Sequence, residues 1–215
     1  MSATTLFAQK ISILGDSYST FEGYVTPAYN EVWYRPAGTK GNDVNSVDQT
    51  WWKLLCDKYG YTLDTNNSYS GSTVSCTGYR KNDYSDRTFV SRAYNLGDPD
   101  IIFVFGGTND CWIPAPLGEY KYQDWTKQDL YAFKPSFAYL LHKLTMLYPD
   151  KKIYNILNCD LGEDIPEAVK RICERYGVEN IVLTGIDKQR SHPSKLGMRQ
   201  ICEQVQKAIS SKKGK

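Results

Sequence analysis

Apolar residues recur in this chain in two rhythms. Short apolar runs end in glycine-bearing polar turns, and longer stretches repeat every three or four residues. Ile11, Ile13 and Leu14 run into Gly15-Asp16-Ser17, and Ile101-Ile102-Phe103-Val104-Phe105 runs into Gly106-Gly107-Thr108-Asn109-Asp110. The continuous β-branched and aromatic run at 101–105 suits a strand covered on both faces, and the shorter run at 11–14, with Ser12 inside it, reads as a buried strand. Weaker strand patterns fall at 61–66, 153–159 and 180–184. The helical rhythm appears at Trp51, Trp52, Leu54, Leu55 and Tyr59, with Thr50 as the expected N-cap and Gly60 as the stop. It returns at Phe137, Leu140, Leu141, Leu144 and Leu147, in a helix over 133–148 ended by Pro149. Further helices are expected over 165–176, with Pro166 in the first turn and Gly177 after it, and from Ser194 to Ile209. Strand and helix alternate, so the pattern predicts one α/β domain over residues 10–210, a parallel sheet with helices on both faces.

Three stretches follow neither rhythm. Residues 21–49 carry Tyr24, Tyr29, Trp33 and Tyr34 among Gly, Pro and Asn. A loop this long reads either as a wall beside Ser17 or as a satellite cluster packed on the body. Residues 75–97 are polar, with Arg80, Arg87 and Arg92, and yield only a short helix near 89–94. Residues 111–131 form a second aromatic loop with Trp112, Tyr120, Tyr122 and Trp125.

The chain has 215 residues, 41% hydrophobic and 23% charged, which fits a single folded core. A net charge of +2 argues against a nucleic-acid surface, and no apolar run reaches the length of a membrane span. The residues before the first strand resemble the cleavage end of a secretory signal. That leans toward export over a cytoplasmic location, although a plain N-terminal extension explains them as well. Six cysteines lack any Cys-x-x-Cys pair, so no zinc site is expected; they permit disulfides without requiring them. No glycine-rich nucleotide loop with a lysine occurs, and no cofactor or metal is implied.

In an open α/β sheet, side chains just beyond the C-terminal ends of strands face the functional crevice. Ser17 lies there, as do the turns at Gly71 and Asn109. A serine nucleophile needs a base that titrates near neutrality. Only His142 and His192 are available. His142 falls inside a predicted helix, whereas His192 lies in a loop after the last strand, on the same sheet edge as Ser17. Asp16 and Asp110 read as residues that hydrogen-bond turn backbones.

Four blocks, Gly15-Asp16-Ser17, the Asn-Ser-Tyr-Ser-Gly-Ser stretch holding Gly71, Gly107-Thr108-Asn109-Asp110 and His192-Pro193, resemble in order and spacing those of SGNH/GDSL hydrolases. The likeness spans nearly the whole chain and resembles a bacterial subgroup of lipase- or esterase-like members. It implies a flavodoxin-like three-layer α/β/α sandwich with a central parallel sheet of about five strands. It also implies ester hydrolysis through an acyl-enzyme, with Ser17 as nucleophile and His192 as base and then acid. The N–H groups of Ser17 and Gly71 and the side-chain amide of Asn109 would form the oxyanion hole. The chain departs from the family at position 189, where Gln replaces the aspartate three residues before the histidine. Asp187 is the expected partner of the imidazole; the Gln189 side-chain oxygen and a backbone carbonyl are the alternatives, and an impaired site is a third. The expected activity is hydrolysis of a small acyl ester, with acetyl on a carbohydrate in mind. Trp33, Tyr34 and Trp112 are the expected substrate-binding residues. Lysophospholipase or thioesterase action, or a silent glycan- or lipid-binding protein on the same fold, are the competing readings; oligomeric state is open.

Overall fold

The computed structural model describes residues 8–211. The leader reading of residues 1–9 falls, for residues 1–7, outside that range. Five strands form one parallel sheet: β1 (Lys10–Gly15), β2 (Thr62–Ser68), β3 (Ile101–Phe105), β4 (Lys152–Leu157) and β5 (Glu179–Val182), in spatial order β2-β1-β3-β4-β5. The order reverses between β1 and β3, so the loops that follow these two strands diverge and leave a crevice at the C-terminal edge.

Alternate residues of each strand enter two separate cores. Ile11, Ile13, Ile101, Phe103 and Phe105 face α1 (Trp51–Tyr59) and α6 (Lys195–Ser210). Leu14, Ile102 and Val104 face α2 (Phe89–Arg92), α4 (Phe133–Leu147) and α5 (Asp164–Tyr176). Helices therefore cover both faces, as the unbroken apolar run of β3 requires. Thr50 caps α1 by accepting from the Lys53 N–H, and Ser194 caps α6 by accepting from the Gly197 N–H. Trp51 presents its edge to Phe103 and Phe105 at ring distances of 5.8 and 6.0 Å. Its indole N–H donates to Ser19 Oγ, and that of Trp52 donates to Ser19 O. The tryptophan pair thus fastens α1 to the turn after β1.

The structure differs from the sequence pattern in two places. The segment after β3 folds into a one-turn helix, α3 (Thr108–Trp112), begun by Gly107 at φ 90°. The segment before the last helix forms a small antiparallel hairpin, β6 (Lys188–Gln189) and β7 (His192–Pro193). Its two-residue turn, Arg190-Ser191, has φ values of 50° and 62°. Type I′ turns need positive φ at both positions and normally take Gly or Asn there, so Arg-Ser gives no signal. All six cysteines are free, and none of the described helices is long and apolar enough to cross a membrane.

Gly15 is set by close approach: a Cβ there would come within 2.5 Å of Ser68 Oγ and 2.8 Å of Ser19 Cβ. Gly15→Ala is therefore expected to cost about 1–3 kcal/mol of stability, read as a lower urea midpoint at unchanged slope. A midpoint equal to wild type would show that the β1 turn can open without penalty.

Candidate active site

The turn after β1 delivers Ser17. Asp16 accepts the Tyr18 N–H at 3.0 Å and starts a 3-10 turn over Ser17–Ser19. This leaves Ser17 3% exposed at the crevice. The β6–β7 hairpin delivers His192 from the opposite side. Its Nε2 lies 2.9 Å from Ser17 Oγ, and its Nδ1 lies 3.0 Å from the Arg190 carbonyl oxygen. A carbonyl only accepts, so Nδ1 must carry the proton. Nε2 is then the acceptor, and the Ser17 hydroxyl donates to it.

The expectation that Asp187 orients His192 is not met. Asp187 is exposed, and its carboxylate accepts from Ser194 Oγ at the N-terminus of α6, where a helix favours negative charge. Gln189 does not take its place either. It pairs across the hairpin with His192, and its side-chain oxygen accepts the Asp43 N–H at 2.8 Å. Of the alternatives, the backbone carbonyl is the one observed.

A carbonyl carries no net charge to stabilise an imidazolium. Burial, with the Arg190 charge adding to it, lowers the His192 pKa to about 4, although the Arg190 carbonyl opposes the shift. Four rings surround the imidazole. Trp33 stacks on it with centroids 3.7 Å apart and planes 6° off parallel, while Tyr18, Trp112 and Tyr34 approach at 5.3, 5.9 and 6.4 Å.

The long loop over 21–49 is both wall and core. Tyr34, expected to bind substrate, is fully buried, and its hydroxyl donates to Pro193 O at 2.9 Å; it supports the hairpin instead. Asn42 Nδ2 donates to the carbonyls of Gln189, His192 and Pro193 at 3.2–3.4 Å. Tyr18 adds a hydroxyl bond of 2.5 Å to Ser191 O. Trp33 is half-buried against the imidazole and Trp112 is 41% exposed beside it. The rest of the second aromatic loop turns away. Tyr120 and Tyr122 lie under Arg171 and Arg175 of α5, and Trp125 packs on Tyr139 and His142 of α4.

Gly71 lies in the turn after β2, at φ 78°. Among the described residues, neither its N–H nor that of Ser17 has a hydrogen-bond partner. Asn109, 2% exposed in α3, donates from Nδ2 to Ser72 O at 2.9 Å and accepts from Tyr79 OH at 2.8 Å. Ser72 O can only accept, so the amide orientation is settled and one Nδ2 proton stays free. Tyr79, in the stretch that carried no sequence signal, therefore orients Asn109.

Asp110 ties the Gly71 turn to α3. It accepts from the N–H groups of Val74 and Ser75 and from Ser75 Oγ, yet burial still raises its pKa to about 6. Burial raises Asp16 further, to about 7, against the Tyr18 N–H and the Arg92 charge; among the described residues its Oδ2 has no hydrogen-bond partner. No group of His, Cys, Asp and Glu able to hold a metal is found among the described residues.

A three-layer sandwich with a serine–histidine pair and unpartnered donors at the β1/β3 switch point defines a serine hydrolase type of site. The family model for GDSL-like lipase/acylhydrolase matches residues 9–209, and the chain belongs to that family of carboxylic ester hydrolases. A protein from Bacteroides uniformis described as a GDSL-like lipase is 55% identical, with a TM-score of 0.93 over 95% of this chain and 96% of its own. One from Bacteroides ovatus, described likewise, is 50% identical, with a TM-score of 0.94 over 95% and 99%. The acetyl xylan esterase of Butyrivibrio proteoclasticus shares the fold at 18% identity and a TM-score of 0.65, over 99% of this chain and 66% of its own. A comparison with curated proteins finds no match.

Because burial lowers the His192 pKa, its imidazole is expected to stay neutral down to about pH 4 in the folded protein. Nitrogen-edited NMR should show Nδ1–H throughout the range above that. The unfolded chain takes up the second ring proton near pH 6.5, so His192 removes stability as pH falls from about 6.5 to 4. A titration of His192 near 6.5 in the folded protein would contradict this geometry.

Proposed function

We propose that this chain hydrolyses small acyl esters through an acyl-enzyme on Ser17. The observation that carries the reading is the Ser17 Oγ–Nε2 contact of 2.9 Å with Nδ1 committed to the Arg190 carbonyl. In this arrangement Nε2 takes the hydroxyl proton as Oγ bonds to the ester carbonyl carbon. The carbonyl oxygen becomes an alkoxide, facing the N–H groups of Ser17 and Gly71 and the free Nδ2 proton of Asn109. As the alkoxide re-forms the carbonyl, the C–O bond to the alcohol breaks, and the alcohol leaves with the proton from Nε2. A water then repeats the sequence on acyl-Ser17. It gives a proton to Nε2, adds to the carbonyl carbon and releases the carboxylic acid, and the proton returns to Oγ.

The Arg190 carbonyl supplies the tautomer and the ring orientation that a carboxylate supplies in the Ser-His-Asp arrangement. Only the extra charge stabilisation of the imidazolium is missing. Trp112 and Tyr79, both exposed beside the crevice, and the half-buried Trp33 offer apolar faces on which a sugar ring can stack. An acetylated or similarly short-acylated carbohydrate is therefore the substrate class favoured here.

The test is turnover of p-nitrophenyl acetate and of an acetylated-sugar panel by wild type and Ser17→Ala. Wild type is expected to hydrolyse both, with activity lost in the variant; equal rates would remove the nucleophile, and saccharide binding without turnover on any ester would favour a binding protein. Asp187→Asn should leave kcat within about threefold, whereas Asn42→Ala, which frees the hairpin, should lower it about tenfold. The reverse ranking would restore Asp187 as the orienting acid. The acid limb of kcat/KM should fall near pH 4 rather than near the usual histidine value.

A further inference from the structure

Arg92 closes α2, a helix of only four residues, and turns inward with 6% exposure. Its guanidinium spends its donors on the frame of the crevice. Nε donates to Arg87 O at 3.0 Å, Nη1 to Asn67 O, and Nη2 to Gly15 O at 3.1 Å and Ser72 Oγ at 2.8 Å. Gly15 lies two residues before Ser17, and Asn67 is in β2. Ser72 directly follows Gly71, and its carbonyl holds Asn109. One planar cation therefore joins the end of β1, β2 and the turn that presents the Gly71 N–H.

This is an expensive way to pack a helix. Among the described residues no carboxylate lies within ion-pair distance of Arg92. Burial pushes its pKa down to about 9, and the Asp16 charge offsets this only in part. An apolar side chain of similar volume commonly serves stability as well as a buried ion does. The charge therefore points to the site rather than to the core.

We infer that Arg92 is a positioning residue for the oxyanion hole. Its fork fixes the spacing between the Gly71 turn and the end of β1, so that the N–H groups of Gly71 and Ser17 and the Asn109 amide converge on one point. Its charge sits beside the donors where negative charge develops in the transition state. A lysine keeps the charge but not the planar set of donors. The inference rests on the roles given above to Ser17 and Gly71.

Wild type, Ser17→Ala, Ser72→Ala, Arg92→Lys and Arg92→Ala are compared with p-nitrophenyl acetate. Phenylboronic acid, which becomes tetrahedral and anionic on a serine, serves as inhibitor. Hydrolysis by wild type but not by Ser17→Ala tests the site itself, so a failure of that reading appears there, independently of Arg92. Ser72→Ala, which removes one acceptor and leaves the guanidinium, is expected to lower kcat about tenfold, and Arg92→Lys about a hundredfold, with KM within about threefold. The boronate inhibition constant should rise by matching factors, which a merely structural role would not produce. A polar cavity of about 280 Å³ lined by Arg92, Asn67 and Tyr69 gives added guanidinium a route in, so it should restore part of the Arg92→Ala activity. Wild-type kcat and boronate affinity in Ser72→Ala and Arg92→Lys, or losses confined to KM, would overturn the inference. If the Arg92 variants do not fold, Ser72→Ala decides alone.

Discussion

The hydrogen bond between His192 Nδ1 and the Arg190 carbonyl is the constraint on which the rest of the site depends. It spans two residues, so it forms only if the chain reverses at once between them. The reversal puts Arg190 and Ser191 at positive φ, at about 1–2 kcal/mol each. The surrounding contacts are of comparable size. Tyr18 and Tyr34 hydroxyls, Asn42 and the Asp43 N–H all bond to the hairpin, at about 1 kcal/mol apiece. Strain at the histidine is thus held by a loop more than a hundred residues earlier in the chain.

That loop holds the imidazole in place without a carboxylate. An aspartate beside the ring does three things: it selects the tautomer, orients the imidazole and stabilises its cation. Here a carbonyl does the first and stacking by Trp33, with the clamp of Asn42, does the second. The third is weaker, and the lowered pKa of His192 expresses it. Asp187 is freed for a different task, holding Ser194 at the start of α6.

Beneath the crevice lies a layer of buried ionisable groups, with Asp16 and Arg92 near the end of β1 and Asp110 between the Gly71 turn and α3. Each binds backbone groups rather than an ionic partner. Bonds of this kind align peptide dipoles before any substrate arrives, which is the form of preorganisation that acyl transfer uses. The same groups pay for it in desolvation, visible as raised pKa values at both acids and a lowered one at the arginine.

Much of the architecture could be read from the chain. The unbroken apolar run at 101–105, and the run at 11–14 broken only by Ser12, identify central strands because only a sheet covered on both sides buries every residue. The helices from Trp51 and Phe133 follow from spacing and stop signals. Ser17, Gly71, Asn109 and His192 could be named as candidates because each sits in a polar turn or loop after a strand, whereas the other histidine, His142, falls inside a predicted helix. The sequence could not show which group faces Nδ1. Asp187 and Gln189 were both near enough along the chain, and a two-residue Arg-Ser turn has no glycine to betray it. Tyr34 looked like substrate wall and proved to be core, since a tyrosine in a loop gives no sign of which side it faces. Tyr79, Asn42 and Arg92 lay in stretches with little or no periodicity, and the bonds by which they reach Asn109, Pro193 and Ser72 span 20 to 151 residues. Periodicity records which face of an element is buried. Contacts between loops depend on where the sheet order places them, and only the folded chain decides that.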